Sequence, residues 1–585
     1  MLKLNRSPLS IVAEHDTPMP VRDGTILRGD VYRPASEGPF PALLVRTPYG
    51  AGSFLMAPRT PALEAGFAVV LQHCRGRGSS DGEFRPWLDE GDDGYDTVGW
   101  ITSQPWSNGE VVAFGMSYLA GCALQAAAKR PPGLKAVVAS MTPHDFYDGL
   151  NYHGGAFALG SALNWGLLQA MLGLMHGMEA GEDVGAGFGA LLPVLGDQTA
   201  AVRTLPLRDI PAGPWWNDWI SHLTRDAYWE GLAETLRHDR IEVPVMHVGG
   251  WFDLFLAGTL ENHRRLGGPL VIGPWSHGSG ATGTGRLDFG FSASAQAAML
   301  PQRQMDFLRG EDTGPAVKIF VMGDNVWRDE EEWPLSRAVD TRYHLHPGGL
   351  LSTEPPSDAA PLSDAVPLSD AEPSSDSGPL PGATPPSGAE LLPNATPPSG
   401  AELLPNATPP SGATPSTFTF DPRDPVPTTG GPLLLPDVTN VGPQDQRDVE
   451  LRPDVLCFTT EALASDVEVT GPLSVTLHAE TSAVSTDWTA KLVDVHPDGR
   501  AMSVTDGIVR TSVASGVHEI DLVATSQVFK TGHRIRVEIS SSNFPRFDRN
   551  PGNGRTSADS TEADLVLQHQ TVFPDSYITL PIVPR

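Results

Sequence analysis

Three segments end in side chains that could act together as nucleophile, base and acid. VVAFGMSYLAG (Val111 to Gly121) reads as an apolar strand, a sharp turn containing Gly, and a small-residue helix, which exposes the hydroxyl of Ser117 at the corner with helix-terminal amides nearby. VPVMHVGGWFD (Val243 to Asp253) ends a second apolar strand on Asp253, and PLVIGPWSH (Pro269 to His277) ends a third on His277. A serine hydroxyl is a weak nucleophile near neutral pH. It needs an imidazole to take its proton and a carboxylate to fix the tautomer and stabilise the imidazolium. Each residue also has a plainer reading. Gly-x-Ser is common in turns, and Leu119 stands where G-x-S-x-G would have its second Gly. Asp253 could cap a helix starting at Leu254, and His277 is one of seventeen histidines. What joins them is chain order, Ser then Asp then His, with each at a strand end.

For such residues to meet, their strands must lie parallel in one sheet, whose carboxyl ends line a single edge where ligands bind. Apolar runs at Pro41 to Val45, Phe67 to Gln72, Val111 to Phe114, Ala136 to Ala139, Val243 to Val248 and Leu270 to Ile272 suit strands buried on both faces. They predict a catalytic domain over 1–141 and 241–348. Between them, 142–240 shows no strand-like run and is dominated by Gly, Ala, Leu, Met and Trp, which predicts a helical cap inserted over the catalytic edge. Residues 349–416 are dense in Pro, Ser, Ala, Gly and Asp; ATPPSGAELLPN occurs at 383–394 and again at 395–406, and a third copy breaks off at Ala413. Such units bury too little apolar surface to pack, so a disordered tether is expected. Asn394 and Asn406 stand in N-A-T sequons that read as accidental, because no secretory signal is visible. From 417 to 585, short alternating runs such as Val467 to Val469, Leu473 to Ala479, Thr489 to Val495, His518 to Leu522 and Ile535 to Ser540 predict an antiparallel sandwich. The expected fold class is α/β plus β: an α/β-hydrolase core with an inserted helical cap and a C-terminal jelly-roll β-sandwich.

Composition narrows the partners. At 585 residues the chain exceeds what one core supports, and 40% hydrophobic residues with thirteen Trp suffice for more than one. A formal charge of -30, from 40 basic against 70 acidic side chains, repels phosphate backbones and anionic membranes. Neither nucleic acid nor a membrane is an expected partner; a small-molecule ester or short peptide is, with a homodimer left open. Cys74, Cys122 and Cys457 have no paired spacing, no His/Cys cluster has metal spacing, and no phosphate-cradling loop appears. No disulfide, metal or cofactor is expected. The start of the chain shows no leader and no long apolar run occurs, so a cytoplasmic location is expected.

VRTPYG, QHCRGRGSSDGEF, GMSYLAG, GGWFD and GPWSHG resemble the CocE/NonD family of cocaine esterase-like serine hydrolases, which is related to the X-Pro dipeptidyl-peptidases. So do FDPRDPVPTTGG (Phe420 to Gly431) and GPQDQRDVELRPDVLCFTT (Gly442 to Thr460), and the likeness spans the chain apart from the repeat segment. The resemblance implies a catalytic α/β domain, a cap and a jelly roll packed against both. It also implies that Tyr49 donates its phenolic hydroxyl to an oxyanion together with the amide of Tyr118. Phe255, Trp165, Trp219, Leu434 and Leu435 are candidates to line the substrate pocket, and Arg75, Arg77 and Asp81 to shape the loop beside the nucleophile. An acyl esterase is the leading expectation. An X-Pro dipeptidyl-peptidase or α-amino-acid ester hydrolase is the runner-up, and either needs carboxylates for a free ammonium group, for which Glu179, Glu182 and Asp183 are available. A carbohydrate- or protein-binding sandwich beside an idle hydrolase core is the reading from another class.

Overall fold

The computed structural model describes residues 10–50, 57–356, 414–434 and 440–585. In chain order the first half contributes β1 (Ile11–Pro20), β2 (Ile26–Pro34), β3 (Phe40–Thr47), β4 (Ala68–His73), β5 (Ser107–Met116) and β6 (Leu134–Ser140). There follow a small hairpin of β7 (Tyr152–His153) and β8 (Ala156–Phe157), then β9 (Val245–Phe252) and β10 (Leu270–Ser276). A second hairpin of β11 (Gly283–Thr284) and β12 (Leu287–Asp288) precedes β13 (Val317–Val321) and β14 (Val326–Glu330).

Ten of these strands form one sheet in the order β1-β2-β4-β3-β5-β6-β9-β10-β13-β14. Its centre, from β4 to β13, is parallel. Every residue of β4 and of β9 is buried, as strands covered on both faces require. All six apolar runs expected to be strands are strands. The four flanking strands that sequence reading passed over, β1, β2, β13 and β14, include both edges, where alternation is weak. β1 carries Pro18 and Pro20, which an edge strand tolerates because one side of its backbone has no ladder to satisfy.

Between β6 and β9 the chain leaves the sheet to build the cap from helices at Leu159–Glu179, Gly185–Gly196, Gln198–Arg203, Pro214–Ser221 and Ala227–Ala233. Trp215, Trp216, Trp219 and Trp229 are buried in it and give it a core of its own. The β7–β8 hairpin touches the C-terminal unit, where Arg510 N–H donates to the Gly154 carbonyl at 2.8 Å. Gly154 has φ 51°, and a Cβ there would lie 2.2 Å from the Ile508 carbonyl oxygen, so only glycine permits this approach.

Among the described residues the C-terminal unit is a β-sandwich of eleven strands. Its longest strands, Val467–Thr481 and Ser515–Phe529, pair antiparallel and curve through a register shift at Pro472/Ser474. Two runs expected as separate strands, Val467 to Val469 and Leu473 to Ala479, are parts of the first. The boundary at 348/349 needs correction. Val339–His346 pairs with Tyr577–Val583, and Leu350–Ser352 pairs with Val339–His346, so both belong to the sandwich rather than to the catalytic domain or the tether. Val339–His346 is exposed or half-buried at all but one position, which hid it beside the polar repeat segment. The repeats themselves and the sequons lie outside the described residues. Beyond β13 the Met322 backbone bonds to Ser526 and Val528, at 3.0 and 2.9 Å, stitching the sheet to the sandwich. Among the described residues no helix is long and apolar enough to cross a membrane.

Candidate active site

Ser117 stands between β5 and the helix Tyr118–Ala128 with φ 60° and ψ −130°, a conformation a non-glycine residue adopts only under strain. The surroundings hold it there. Its N–H donates to Ser140 O at 2.9 Å, and its carbonyl accepts from the N–H groups of Ala120 and Gly121 at 3.0 and 3.1 Å. Gly115 makes the turn possible, since a Cβ there would lie 2.2 Å from the Leu119 carbonyl carbon. The corner therefore forms with Leu119 at the position where the usual motif has Gly. Tyr118 opens the helix, so its N–H has no acceptor one turn earlier and faces outward.

Asp253 and His277 lie just past the carboxyl ends of β9 and β10, which pair in parallel. His277 Nε2 is 3.0 Å from Ser117 Oγ, and His277 Nδ1 is 2.7 Å from Asp253 Oδ1. The Asp253 side chain is fully buried and that of His277 is 9% exposed, so water competes little for this line of contacts. Phe255 sets its ring edge-on to His277 with centroids 5.3 Å apart. An alcohol, an imidazole and a carboxylate in this order can pass one proton from oxygen to nitrogen.

Tyr49 follows β3. Its phenolic oxygen accepts from Trp165 Nε1–H at 3.0 Å, and Ser117 is a second hydrogen-bonding neighbour. Burial pushes the Tyr49 phenol well above its ordinary value, so it remains a proton donor. Trp165 thus occupies the acceptor side of the phenol and leaves its O–H free to turn toward the serine.

A pocket opens beside Ser117 between sheet, cap and sandwich, and it receives Trp165, Trp219, Phe255 and Leu434 together. Leu435 lies outside the described residues. The lining also includes Trp87, Leu150, Asn151, Ser161, Ala162 and Leu254, which sequence reading missed. Leu254 had a signal, its place between Asp253 and Phe255; the others come from loops and a cap whose course no local pattern announces. Among the described residues no lining residue is Asp or Glu. Glu179, Glu182 and Asp183 are exposed, and Glu179 borders a separate polar cavity with His15, Asp30, His73 and His176. The loop residues are structural: Arg75 pairs with Asp93 at 2.6 Å, Arg28 with Asp81 at 2.6 Å, and Arg77 bonds the cap residue Gln169 at 3.1 Å.

Behind the helix Tyr118–Ala128 lies a buried charged network. Arg46 and Glu90 approach to 2.9 Å with side chains only 2% and 4% exposed, and Tyr118 O–H donates to Glu90 at 2.9 Å while accepting from Trp87 N–H at 3.1 Å. Burial, with Glu90 adding to it, pushes the Tyr118 phenol far up. Cys74 and Cys122 meet here in a thiol–thiol hydrogen bond with sulfurs 4.0 Å apart and no disulfide, and burial raises both thiols. Their spacing of 48 positions concealed this contact.

The family described as X-Pro dipeptidyl-peptidase (S15 family) matches residues 23–279, and the X-Pro dipeptidyl-peptidase C-terminal non-catalytic domain matches 310–576. The cocaine esterase of Rhodococcus sp. strain MB1 Bresler is 35% identical, covering 97% of this chain and 98% of that protein. A putative serine esterase of Mycobacterium bovis is 25% identical over 91% of each. Among solved structures, an aminopeptidase from a marine sediment thaumarchaeon superposes with TM-score 0.74 at 23% identity, covering 98% of this chain and 97% of that one. An α-amino-acid ester hydrolase superposes with TM-score 0.72, also at 23% identity, covering 98% and 96%. These last two show a shared fold.

Proposed function

The chain belongs to the CocE/NonD family of serine hydrolases, and on that premise we propose that it is an acyl esterase working through a Ser117–His277–Asp253 triad. The observation that carries this reading is the unbroken hydrogen-bonded line from Ser117 Oγ through both nitrogens of His277 to Asp253.

Ser117 Oγ attacks the ester carbonyl carbon while His277 Nε2 takes its proton, and Asp253 steadies the resulting imidazolium. The carbonyl oxygen becomes an oxyanion held by the Tyr49 O–H and the Tyr118 N–H. His277 returns the proton to the leaving alcohol as the tetrahedral intermediate collapses to an acyl-enzyme. Water then enters by the same base and releases the acid. The residues needed are all side chains and backbone of this chain.

The substrate is an ester whose apolar acyl portion packs among Trp165, Trp219, Phe255 and Leu434. The relative named for cleaving cocaine agrees with an ester. A free α-ammonium group, as an X-Pro dipeptide or an amino-acid ester carries, would find no carboxylate among the described residues of this pocket. Turnover of p-nitrophenyl butyrate beside an Ala-Pro anilide tests the reading. The butyrate is expected to be cleaved and the anilide left intact; cleavage of the anilide alone would overturn the esterase assignment. A fluorophosphonate probe is expected to label the wild type and not Ser117→Ala.

A further inference from the structure

Between the catalytic sheet and the sandwich lies another cavity, lined by Phe252, Phe289 and Met322 from one side and by Asp494, His496 and His533 from the other. Asp494 lies in the strand Thr486–Val495 and His496 two positions on, so the two share a face. That strand pairs Val495 with Arg534, and one further step in register sets His496 opposite His533. The two rings lie 4.4 Å apart. His533 Nδ1 is 2.8 Å from Asp494 Oδ1, and His496 Nε2 is 3.9 Å from Asp494 Oδ2. All three residues offer ligand atoms within 4.8 Å of one another.

We propose that Asp494, His496 and His533 bind one divalent transition-metal ion of the zinc class on the sandwich wall of this cavity, cross-linking two neighbouring strand ends of the sandwich. Two imidazoles and a carboxylate are a borderline donor set that suits zinc over magnesium or calcium. Bonds of zinc length in a tetrahedral array place ligand atoms roughly 3.3 Å apart. The His533–Asp494 contact opens a little and the His496–Asp494 gap closes, the ion taking the place of the proton now bridging His533 and Asp494. Arg500 Nη2 lies 3.4 Å from His496 Nδ1. Coordination through Nε2 leaves a proton on Nδ1, so this half-exposed guanidinium swings outward while keeping its 2.8 Å contact with Asp498. Lys530, on the same cavity, is already paired with Asp324 and Asp466. The fourth position faces the cavity and takes water.

One other described trio, Cys74, Glu90 and Cys122, has comparable proximity, but all three are buried and Arg46 already neutralises Glu90. It is closed to an ion, whereas the His496 side chain is 20% exposed and that of His533 is 14% exposed.

Calorimetric titration of the chelator-treated full chain with zinc chloride tests the proposal. One ion per chain is expected, with proton release, because the ligands must shed protons to bind. The bound ion should raise Tm, and cobalt in its place should give the visible absorption of a four-coordinate site. The double variant His496→Ala/His533→Ala should lose both the stoichiometric heat and the rise in Tm, and Asp494→Asn should weaken binding by about tenfold or more. Should the double variant fail to fold, His496→Asn alone must abolish the cobalt absorption. Undiminished zinc binding in these variants, or no saturable binding by the wild type at micromolar ion, would overturn the site.

Discussion

The two faces of the helix that begins at Tyr118 use opposite materials. In front, the described lining of the pocket beside Ser117 is mostly aromatic and aliphatic and includes no carboxylate. Behind, Arg46, Glu90 and Asp93 are packed together almost without solvent, and Tyr118 spans the two, stacked on Trp165 at 5.8 Å while its hydroxyl bonds Glu90. Charge here holds a backbone in place and is kept away from the substrate. A full charge in the pocket would select an oppositely charged ligand; a charge behind the helix, already paired, instead holds the Tyr118 side chain and with it the N–H proposed to meet the oxyanion.

The most severe way to break the front is to remove the proposed nucleophile. Ser117→Ala is expected to lower kcat by about 10⁶ with little change in KM, because binding in the apolar pocket survives. Residual turnover within about tenfold of wild type would dismiss the proposed triad. The strongest blow to the back is Glu90→Ala, which leaves the buried Arg46 guanidinium only Asp93 at 3.7 Å as a counter-charge and should cost about 3 kcal/mol in urea unfolding. Replacing both partners, Arg46→Met with Glu90→Met, should recover much of that loss, since two apolar side chains leave no orphaned charge. If the double variant is no more stable than Glu90→Ala, the network behind the helix has some role other than pairing. Tyr49→Phe returns to the front and should reduce kcat by about 10²–10³ through loss of one oxyanion donor, with KM nearly unchanged. Full activity in that variant would leave the Tyr118 amide as the working donor.

The front was largely legible in the sequence and the back was not. Ser117, Asp253 and His277 each end a strand of a parallel sheet, and that architecture alone sends strand ends to one edge. Trp165 and Trp219 were accessible as bulky residues in an insertion that had to cover that edge. Arg46 and Glu90, by contrast, sit in a strand and at a helix start that nothing local connects; their pairing depends on how β3 packs under the helix Glu90–Thr102. The same limit explains the Cys74–Cys122 contact and the Asp494–His496–His533 cluster. Both depend on neighbours brought together by pairing across the fold, whereas a motif search sees only spacing along the chain. At the sandwich boundary the local pattern misled, because Val339–His346 is an edge-like, mostly exposed strand whose partner is the final strand of the chain.

The contrast extends to acid. β9, which delivers Asp253, also carries His247, whose Nε2 lies 2.9 Å from Gly267 O in a buried site. Burial pushes this imidazole down from 6.5 to about 3. Above pH 6.5 the ring is neutral in both the folded and unfolded chain, and its contribution to stability is complete. Below that, the unfolded chain takes up the proton first, so stability falls as pH drops from 6.5 toward about 3. Between pH 6.5 and pH 5 this one group should remove about 2 kcal/mol. His247→Gln should reduce the difference in unfolding free energy between pH 7 and pH 5 by that amount, while Trp219→Phe, on the uncharged front, should leave it as in the wild type. An equal acid slope in His247→Gln would mean that the ring is already protonated in the folded protein, and that the strand beneath the site holds a charge its surroundings do not pair.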